Sequence, residues 1–366
     1  MKRVLVIVVT HNGMHWLPRC LSSIVQPDPG AVEAHGAPEA PDNARPGANE
    51  ALVAPELYVW DNDSTDGSAD YVQGHFPQAK LVRSADNLGF SKPNNEGMKW
   101  ALSHGYDYAY LLNQDAWLEA GALEKLVAAA EAHPGFGLLS PLQMTDGYKE
   151  LDRQFAKALK RGERCAVDQV QPLFGPGPIL GGGPGPASVA PSGLQGISGG
   201  PGPGGKVGPS PKDDWTRSKD GGPDTKTPSP VSVPRVMAAH WLIPVSSIRK
   251  VGLFNEELFP LWGQDDDWCN RALYKGYKIG VVQDARAVHD RQYREEPKEK
   301  LIKRNYYTGS LVRLARLQRP LWVSFLFVCL FTLVKAVKYG SLLPFKYFGT
   351  ICSQLPAVRE HRRNCR

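Results

Sequence analysis

Three apolar runs in the first third of the chain each end at a polar cluster. Residues 4–9 run into Thr10-His11-Asn12, residues 57–60 into Asp61-Asn62-Asp63, and residues 108–112 into Asn113-Gln114-Asp115. Short apolar runs bounded by polar turns and separated by stretches of helical period read as buried strands alternating with helices. The pattern predicts strand 3–10, helix 14–25, strand 56–60, helix 66–75, strand 80–83, helix 92–103, strand 108–112, helix 119–132 and a short strand 136–140. Strands joined through helices lie parallel and need cover on both faces, so the expected class is α/β with a mostly parallel central sheet flanked by helices. Ligands of such sheets bind beyond the carboxyl ends of the strands, where the three polar clusters fall. Each cluster alone also suits helix caps and turns; three together point to a site.

Two stretches break the alternation. Residues 27–56 are rich in Pro, Ala, Gly and acidic groups, and residues 172–232 are richer still in Gly and Pro. Such segments cannot bury enough apolar surface to offset backbone entropy, so both are expected as disordered insertions within one domain spanning residues 1–300. Gly200 and Gly205-Lys206 approach a phosphate-binding loop, but Val207 stands where a Ser or Thr must ligand magnesium, and in low-complexity glycine the match is chance. Cys20, Cys165, Cys269, Cys329, Cys352 and Cys365 are scattered without a C-x-x-C pair, which argues against a zinc site or a disulfide framework and fits a reducing cytosol. The run 4–9 is too short for a signal-peptide core.

The net charge of +6 belongs to the end of the chain. Residues 291–366 hold 16 Lys and Arg against four Glu, +12, which leaves −6 for residues 1–290. The same segment contains the apolar run 321–334. Basic and apolar together indicate an anionic membrane surface rather than nucleic acid, and residues 301–366 are expected as a helical, membrane-associated region. A 14-residue helix spans only ~21 Å, short of the ~30 Å hydrocarbon core, so an interfacial or re-entrant segment is expected. The alternative is a helix that packs on the catalytic domain or on a second copy of the chain.

Asp115 directly follows Leu111-Leu112, so a buried strand would deliver its carboxylate to the crevice. There Mg2+ or Mn2+ would take oxygen ligands from it and from diphosphate oxygens, with Asn113 adding a neutral contact. A second acidic group, Gln264-Asp265-Asp266-Asp267-Trp268, precedes a helix that runs to Tyr274. Acids at a helix N-terminus interact favourably with its dipole by ~0.3–1 kcal/mol each, which accounts for one or two of them. Three adjacent like charges flanked by Trp262 and Trp268 repel one another and exceed what capping needs. A general base beside an aromatic platform explains the group better. A lone His such as His289 is usually structural, and only a larger pattern promotes it.

That pattern exists. Val8-Val9-Thr10-His11-Asn12-Gly13, Asp61-Asn62-Asp63-Ser64-Thr65-Asp66-Gly67-Ser68, Asn87-Leu88-Gly89-Phe90, Asn94-Asn95-Glu96-Gly97 and Leu112-Asn113-Gln114-Asp115 follow in order, then Val251-Gly252-Leu253-Phe254-Asn255-Glu256 and Gly263-Gln264-Asp265-Asp266-Asp267. In order and spacing these segments resemble the family 2 inverting glycosyltransferases of GT-A fold, within them the rhamnosyltransferase-like members. The resemblance implies that Thr10, Asn12 and Asp61 hold the nucleoside, with Asp63 assisting. It implies that Asn87, Gly89 and Asn94 shape the pyrophosphate and sugar pocket, that Asp115 is the carboxylate of the metal-binding D-x-D motif, and that His289 is a further metal ligand. Asp265 would be the base. Asp266 or Asp267 takes that place if the register slips by one, and Trp262 and Trp268 would line the acceptor side.

Two positions depart from the family. Asn113-Gln114-Asp115 stands for D-x-D, and Gln264-Asp265 stands for the usual Glu-Asp. The activity so implied is metal-dependent transfer of a sugar, rhamnose on dTDP by resemblance, to a saccharide or lipid-linked acceptor in cell-surface polysaccharide synthesis. The setting would be the inner face of the cell membrane. Two rivals remain open: a nucleotidyltransferase, which ordinarily needs a basic Gly-rich loop that Thr10-His11-Asn12-Gly13 does not supply, and a non-catalytic sugar-nucleotide-binding scaffold, which has no need of Asp265. An NAD-dependent oxidoreductase is disfavoured because no G-x-G-x-x-G follows the first strand.

Overall fold

The computed structural model describes residues 1–25, 53–145, 150–152, 155–156, 159–160, 229–290 and 297–366. Both expected insertions lie mostly outside these residues; of their described ends, residues 53–56 and 231–232 are strand. Val53–Asn62 form one strand, β2, whose first residue already pairs with Lys2, and Val231–Val233 form a strand within the second proposed insertion.

The amino-terminal half is the expected βαβ alternation. β1 (Lys2–Thr10), α1 (Leu17–Ser22), β2, α2 (Ser68–His75), β3 (Lys80–Ser84), α3 (Ser91–Ser103), β4 (Tyr108–Asn113), β5 (Ala116–Leu118), α4 (Ala122–Ala132) and β6 (Phe136–Met144) follow in order. β1 lies parallel between β2 and β4, and β3 extends the sheet beyond β2. Residues Val4 to Val8 of β1 are buried on both faces, as a continuous apolar run in a covered parallel sheet must be. α3 approaches β1 closely at Gly97, where a Cβ would stand 2.6 Å from Ile7 Cγ2.

Beyond β4 the sheet becomes mixed. β8 (His240–Pro244) pairs antiparallel with β4 and β6, and β9 (Lys278–His289) runs parallel to β6. β5 and β7 (Val231–Val233) add to β9 in antiparallel sense, giving the order β3-β2-β1-β4-β8-β6-β9-β5. β9 extends to His289 because the apolar positions of Ile279, Val281 and Val282 resume at Ala285, Ala287 and Val288 after the polar Gln283-Asp284.

Two helices follow β8, Val245–Val251 and the acidic helix Gln264–Tyr274. The carboxyl-terminal region is helical: Lys298–Ile302, a π-turn Lys303–Thr308, Gly309–Ala315, Leu321–Tyr339, Leu343–Ser353 and Leu355–Asn364. It has its own apolar cluster around Tyr306, Leu311, Leu314, Val328, Ile351 and Val358, joined by Leu258 and Phe259 from the segment before the acidic helix. The apolar helix Leu321–Tyr339 has 19 residues, ~28 Å long, not 14. It continues past Val334 because Lys335 and Lys338 alternate with apolar neighbours and Gly340 closes it in the left-handed conformation. By length and composition alone it is long and apolar enough to cross a membrane.

Candidate active site

Parallel register sets the site's first wall. Thr10 pairs with Asp61 and Val9 with Asn113, so the ends of β1, β2 and β4 stand at one edge of the sheet. Two residues there, Asn12 (φ +49°) and Asp63 (φ +65°), adopt the left-handed backbone that Asn and Asp tolerate better than other side chains. Gly13 cannot carry a side chain, because a Cβ would stand 2.4 Å from Thr10 Oγ1 and 2.5 Å from Gln114 Oε1.

The loops of this wall are tied to one another. Gln114 Oε1 accepts the Thr10 hydroxyl and the His11 amide, both at 2.8 Å. The Asn12 amide donates to Ser64 Oγ, and Asn12 Oδ1 accepts the Thr65 amide at 2.9 Å. Gly13 N donates to Ser68 Oγ, and Ser68 in turn bonds Asp66. Asn62 is buried; its amide nitrogen donates to Asn87 Oδ1 and to the Gly89 carbonyl, and its oxygen accepts the Leu88 amide. Asn62 therefore holds the whole turn Asn87-Leu88-Gly89. In the sequence, Asn62 and Gln114 were only neighbours of the acids; their partners lie 25 to 104 residues away, and no local signal marks such bonds.

Asp61 is nearly fully buried. Its Oδ2 accepts the Ser64 amide at 3.2 Å, whereas Oδ1 is buried with no hydrogen-bond partner. A buried carboxylate oxygen without a donor is costly, and a ligand N–H or O–H would satisfy it.

Asp115 leaves the end of β4 beside β9, whose last residue, His289, pairs with Ala116. His289 Nε2 lies 3.5 Å from Asp115 Oδ1. The Asp290 amide donates to the Asp115 carbonyl, and Trp16 Nε1 donates to Asp290 Oδ2, so the pair is braced from both sides. Among the described residues no group of three His, Cys, Asp or Glu side chains forms a complete metal cage. One carboxylate and one imidazole still match a hard cation that draws its remaining oxygens from phosphates and water. His240, behind this pair, is committed to the fold. Its ring bonds the Tyr110 hydroxyl and the Val288 carbonyl, and burial pushes its pKa down to about 3, leaving it neutral.

The segment before the acidic helix is moored to the start of α3 and the residue just ahead of it. Phe90 and Ser91 amides both donate to the Pro260 carbonyl, the Ser91 hydroxyl donates to Phe259 O, and Asn95 bonds Phe254 and Glu256. Gly89 (φ +76°) allows this approach, since a Cβ there would stand 2.8 Å from Pro260 O. Asp265 is half-buried in the first turn of the helix. Burial, then the charge of Asp266, raises its pKa to about 7, despite the Asp266 amide and Arg235, which pull the other way. Arg235, on the segment leading into β8, pairs with Asp266.

Asp267 and Trp268 are corrections to the expected substrate set. Asp267 is 2% exposed and sits between Arg271 Nε and His361 Nε2, each at 2.8 Å. Trp268 is fully buried and donates Nε1 to the Gly252 carbonyl, so it cannot serve as a platform. Helical period explains both: positions two and three beyond Asp265 turn inward. Asn94 is likewise internal, bonding the Phe90 carbonyl as part of α3, and Thr10 is fully buried with its hydroxyl committed to Gln114. Asn12, Asp63, Asn87, Asn113, Asp115, Trp262, Asp265 and Asp266 keep some exposure, with Trp262 facing Arg304. The described cysteines, Cys20, Cys269, Cys329, Cys352 and Cys365, are free thiols.

No curated protein matches the chain. Among solved structures it is similar to S. aureus TarS (13% identity, TM-score 0.48), over 88% of this chain and 41% of that one, and to GalNAc-T7 crystallised with UDP, GalNAc and Mn2+ (14% identity, TM-score 0.44), over 88% of this chain and 52% of that one. A shorter TarS piece, 1–349, with UDP-GlcNAc is similar at 14% identity and TM-score 0.44, over 90% of this chain and 71% of that one. The chain thus spans less than half of the longer TarS. The family comparison is more direct: residues 49–158 match the model described as glycosyl transferase family 2. Those residues run from just before β2 through β6 and contain Asp61, Asn87, Gly89, Asn94 and Asp115, so over this stretch, less than a third of its length, the chain is similar to family 2 glycosyl transferases, on an α/β sheet flanked by helices.

Proposed function

We propose that the chain transfers a sugar from a nucleoside diphosphate to an acceptor hydroxyl with inversion, and that Asp265 is the base. The observation that carries the reading is the placement of Asp265. Its carboxyl pKa is raised to about 7 by burial and by Asp266, and the segment leading into its helix accepts hydrogen bonds at Phe259 O and Pro260 O from Phe90 and Ser91, directly after the turn that Asn62 holds. A group that titrates near the working pH is the most effective general base.

Asp61 receives the nucleoside in this reading, its unpaired Oδ1 accepting an N–H from the base. Asn12, Asp63, Asn87 and the Gly89 backbone line the donor's remaining polar edge. Asp115 and His289 would hold Mg2+ or Mn2+, which, when bound, neutralises charge on the diphosphate leaving group. Asp265 removes the acceptor hydroxyl's proton as that oxygen bonds the anomeric carbon; the bond from that carbon to the diphosphate oxygen breaks, and the nucleoside diphosphate leaves with the electron pair. Attack from the face opposite the leaving group inverts the configuration.

A deoxysugar such as rhamnose on dTDP is the donor that the motif resemblance supports. Apolar side chains exposed along the helix Leu321–Tyr339 favour an acceptor presented at the cytoplasmic face of the membrane, with residues 301–366 as the membrane-associated region after a catalytic domain of residues 1–300. Purified Asp265→Asn should retain nucleotide binding and lose transfer by about 10²-fold or more. Turnover at the wild-type rate would remove Asp265 from the role of base.

A further inference from the structure

The loop between β1 and α1, from Thr10 to Trp16, is tied at both ends to the neighbours of the Asp115–His289 pair. At its start the Gln114 side chain meets it three times. Oε1 accepts the Thr10 hydroxyl and the His11 amide at 2.8 Å, and Nε2 donates to the His11 carbonyl at 3.3 Å. Gln114 immediately precedes Asp115. At the other end Trp16 Nε1 donates to Asp290 Oδ2 at 2.9 Å, across 274 residues of sequence. Asp290 immediately follows His289, and its amide donates to the Asp115 carbonyl at 2.8 Å. One loop is thus fastened to the residue before one member of the pair and to the residue after the other.

Between these ends the loop faces the opposite way. The Asn12 amide donates to Ser64 Oγ, Asn12 Oδ1 accepts the Thr65 amide, and the Gly13 amide donates to Ser68 Oγ, all in the turn that follows Asp61. Gly13 leaves no room for a Cβ between Thr10 and Gln114, so the middle of the loop lies against the same Gln114 that holds its start. His11, Asn12 and His15 are exposed. The loop therefore stands between the turn assigned to the nucleoside and the pair assigned to the cation, with hydrogen bonds to the first and to the neighbours of the second.

Ordering a loop of exposed residues costs conformational entropy. A first ligand that orders it removes that cost for a second, and the resulting coupling is reciprocal. We propose that Gln114 and Trp16 are positioning residues that carry such a coupling: a nucleoside bound at Asp61 tightens the cation site at Asp115 and His289 through the loop, independently of any phosphate that bridges the two. The inference rests on the transferase reading and adds to it the side chains that set its cation site.

The test uses uridine and thymidine, which carry no phosphate through which to ligate the metal. Mn2+ binding to the full chain is followed by electron paramagnetic resonance of the free ion, and nucleoside binding by calorimetry, each with and without the other ligand. In wild type one nucleoside should lower the Kd for Mn2+ by about five-fold or more, and Mn2+ should lower the Kd for that nucleoside by the same factor. Trp16→Phe keeps a ring and loses the Nε1–H donor; it should bind each ligand alone and lose most of the coupling. Gln114→Met should do the same, and if it fails to fold Trp16→Phe decides. Asp290→Asn keeps an oxygen acceptor for Trp16 and should retain the coupling. Equal Mn2+ affinity with and without a bound nucleoside, full coupling in Trp16→Phe, or loss of coupling in Asp290→Asn would each overturn this inference alone. A wild type that binds neither ligand, or only one of them, contradicts the site assigned under the transferase reading, and this inference with it.

Discussion

Asp265 and Asp267 stand two residues apart and are driven in opposite directions. Asp265 is raised to about 7, first by burial and then by Asp266. Burial would also raise Asp267, but the charges of Arg271 and His361 hold it below the usual carboxylate range. The rate of transfer should therefore rise with pH as Asp265 loses its proton, with an apparent midpoint at about pH 7; a rate that is flat from about pH 5.5 to 8.5 contradicts the assignment. At the donor end, Asp61→Asn replaces an unpaired acceptor or adds a misplaced donor, and should weaken nucleotide binding by about five-fold to one-hundred-fold, read by calorimetry. The run of acids before a helix is plain in the sequence, and only the resemblance grouped Asp115 with His289, which the fold sets 3.5 Å apart. Which of three adjacent acids faces outward is not legible there, because that depends on the phase of a helix whose buried side is set by Arg271 and by His361, 94 residues away.

At the scale of elements, the carboxyl-terminal helix Leu355–Asn364 docks on the acidic helix through His361 and Asp267. Burial alone would lower the His361 pKa, but the hydrogen bond to Asp267 outweighs it and, with Cys365, raises it to about 9. A raised folded-state pKa contributes stability that is fully present below the unfolded value of 6.5 and is lost as pH rises through about 9. Melting temperature should fall between pH 7 and 9.5 in wild type and fall less in His361→Gln; identical slopes would show that this pair does not couple the two helices. Removing Arg271 leaves Asp267 buried with one partner fewer, and Arg271→Ala should cost about 3–5 kcal/mol in urea unfolding. The strands of the first half were legible because each is a continuous apolar run. β8, β5 and β7 were not: two have three residues, and β8 follows a stretch of Gly and Pro in which period carries no information. The antiparallel β8 makes the sheet mixed, and it also brings Arg235 toward Asp266.

The whole molecule joins a sheet that gathers polar loops at one edge to a helical region whose longest helix turns its apolar side outward. Leu326→Glu/Leu333→Glu alters only exposed positions of that helix and should shift the protein from the membrane fraction to the soluble one without changing its melting temperature by more than about 2 °C. Unchanged partition would remove the membrane from the account. The central claim, that the site binds a nucleoside diphosphate sugar and transfers its sugar, is tested most directly with a panel of such donors, scored by thermal shift with and without Mn2+ on wild type and Asp61→Asn. One donor should stabilise wild type, more strongly with the metal, and Asp61→Asn should lose most of that shift. If no donor in the panel shifts wild type under either condition, the account of this site is contradicted.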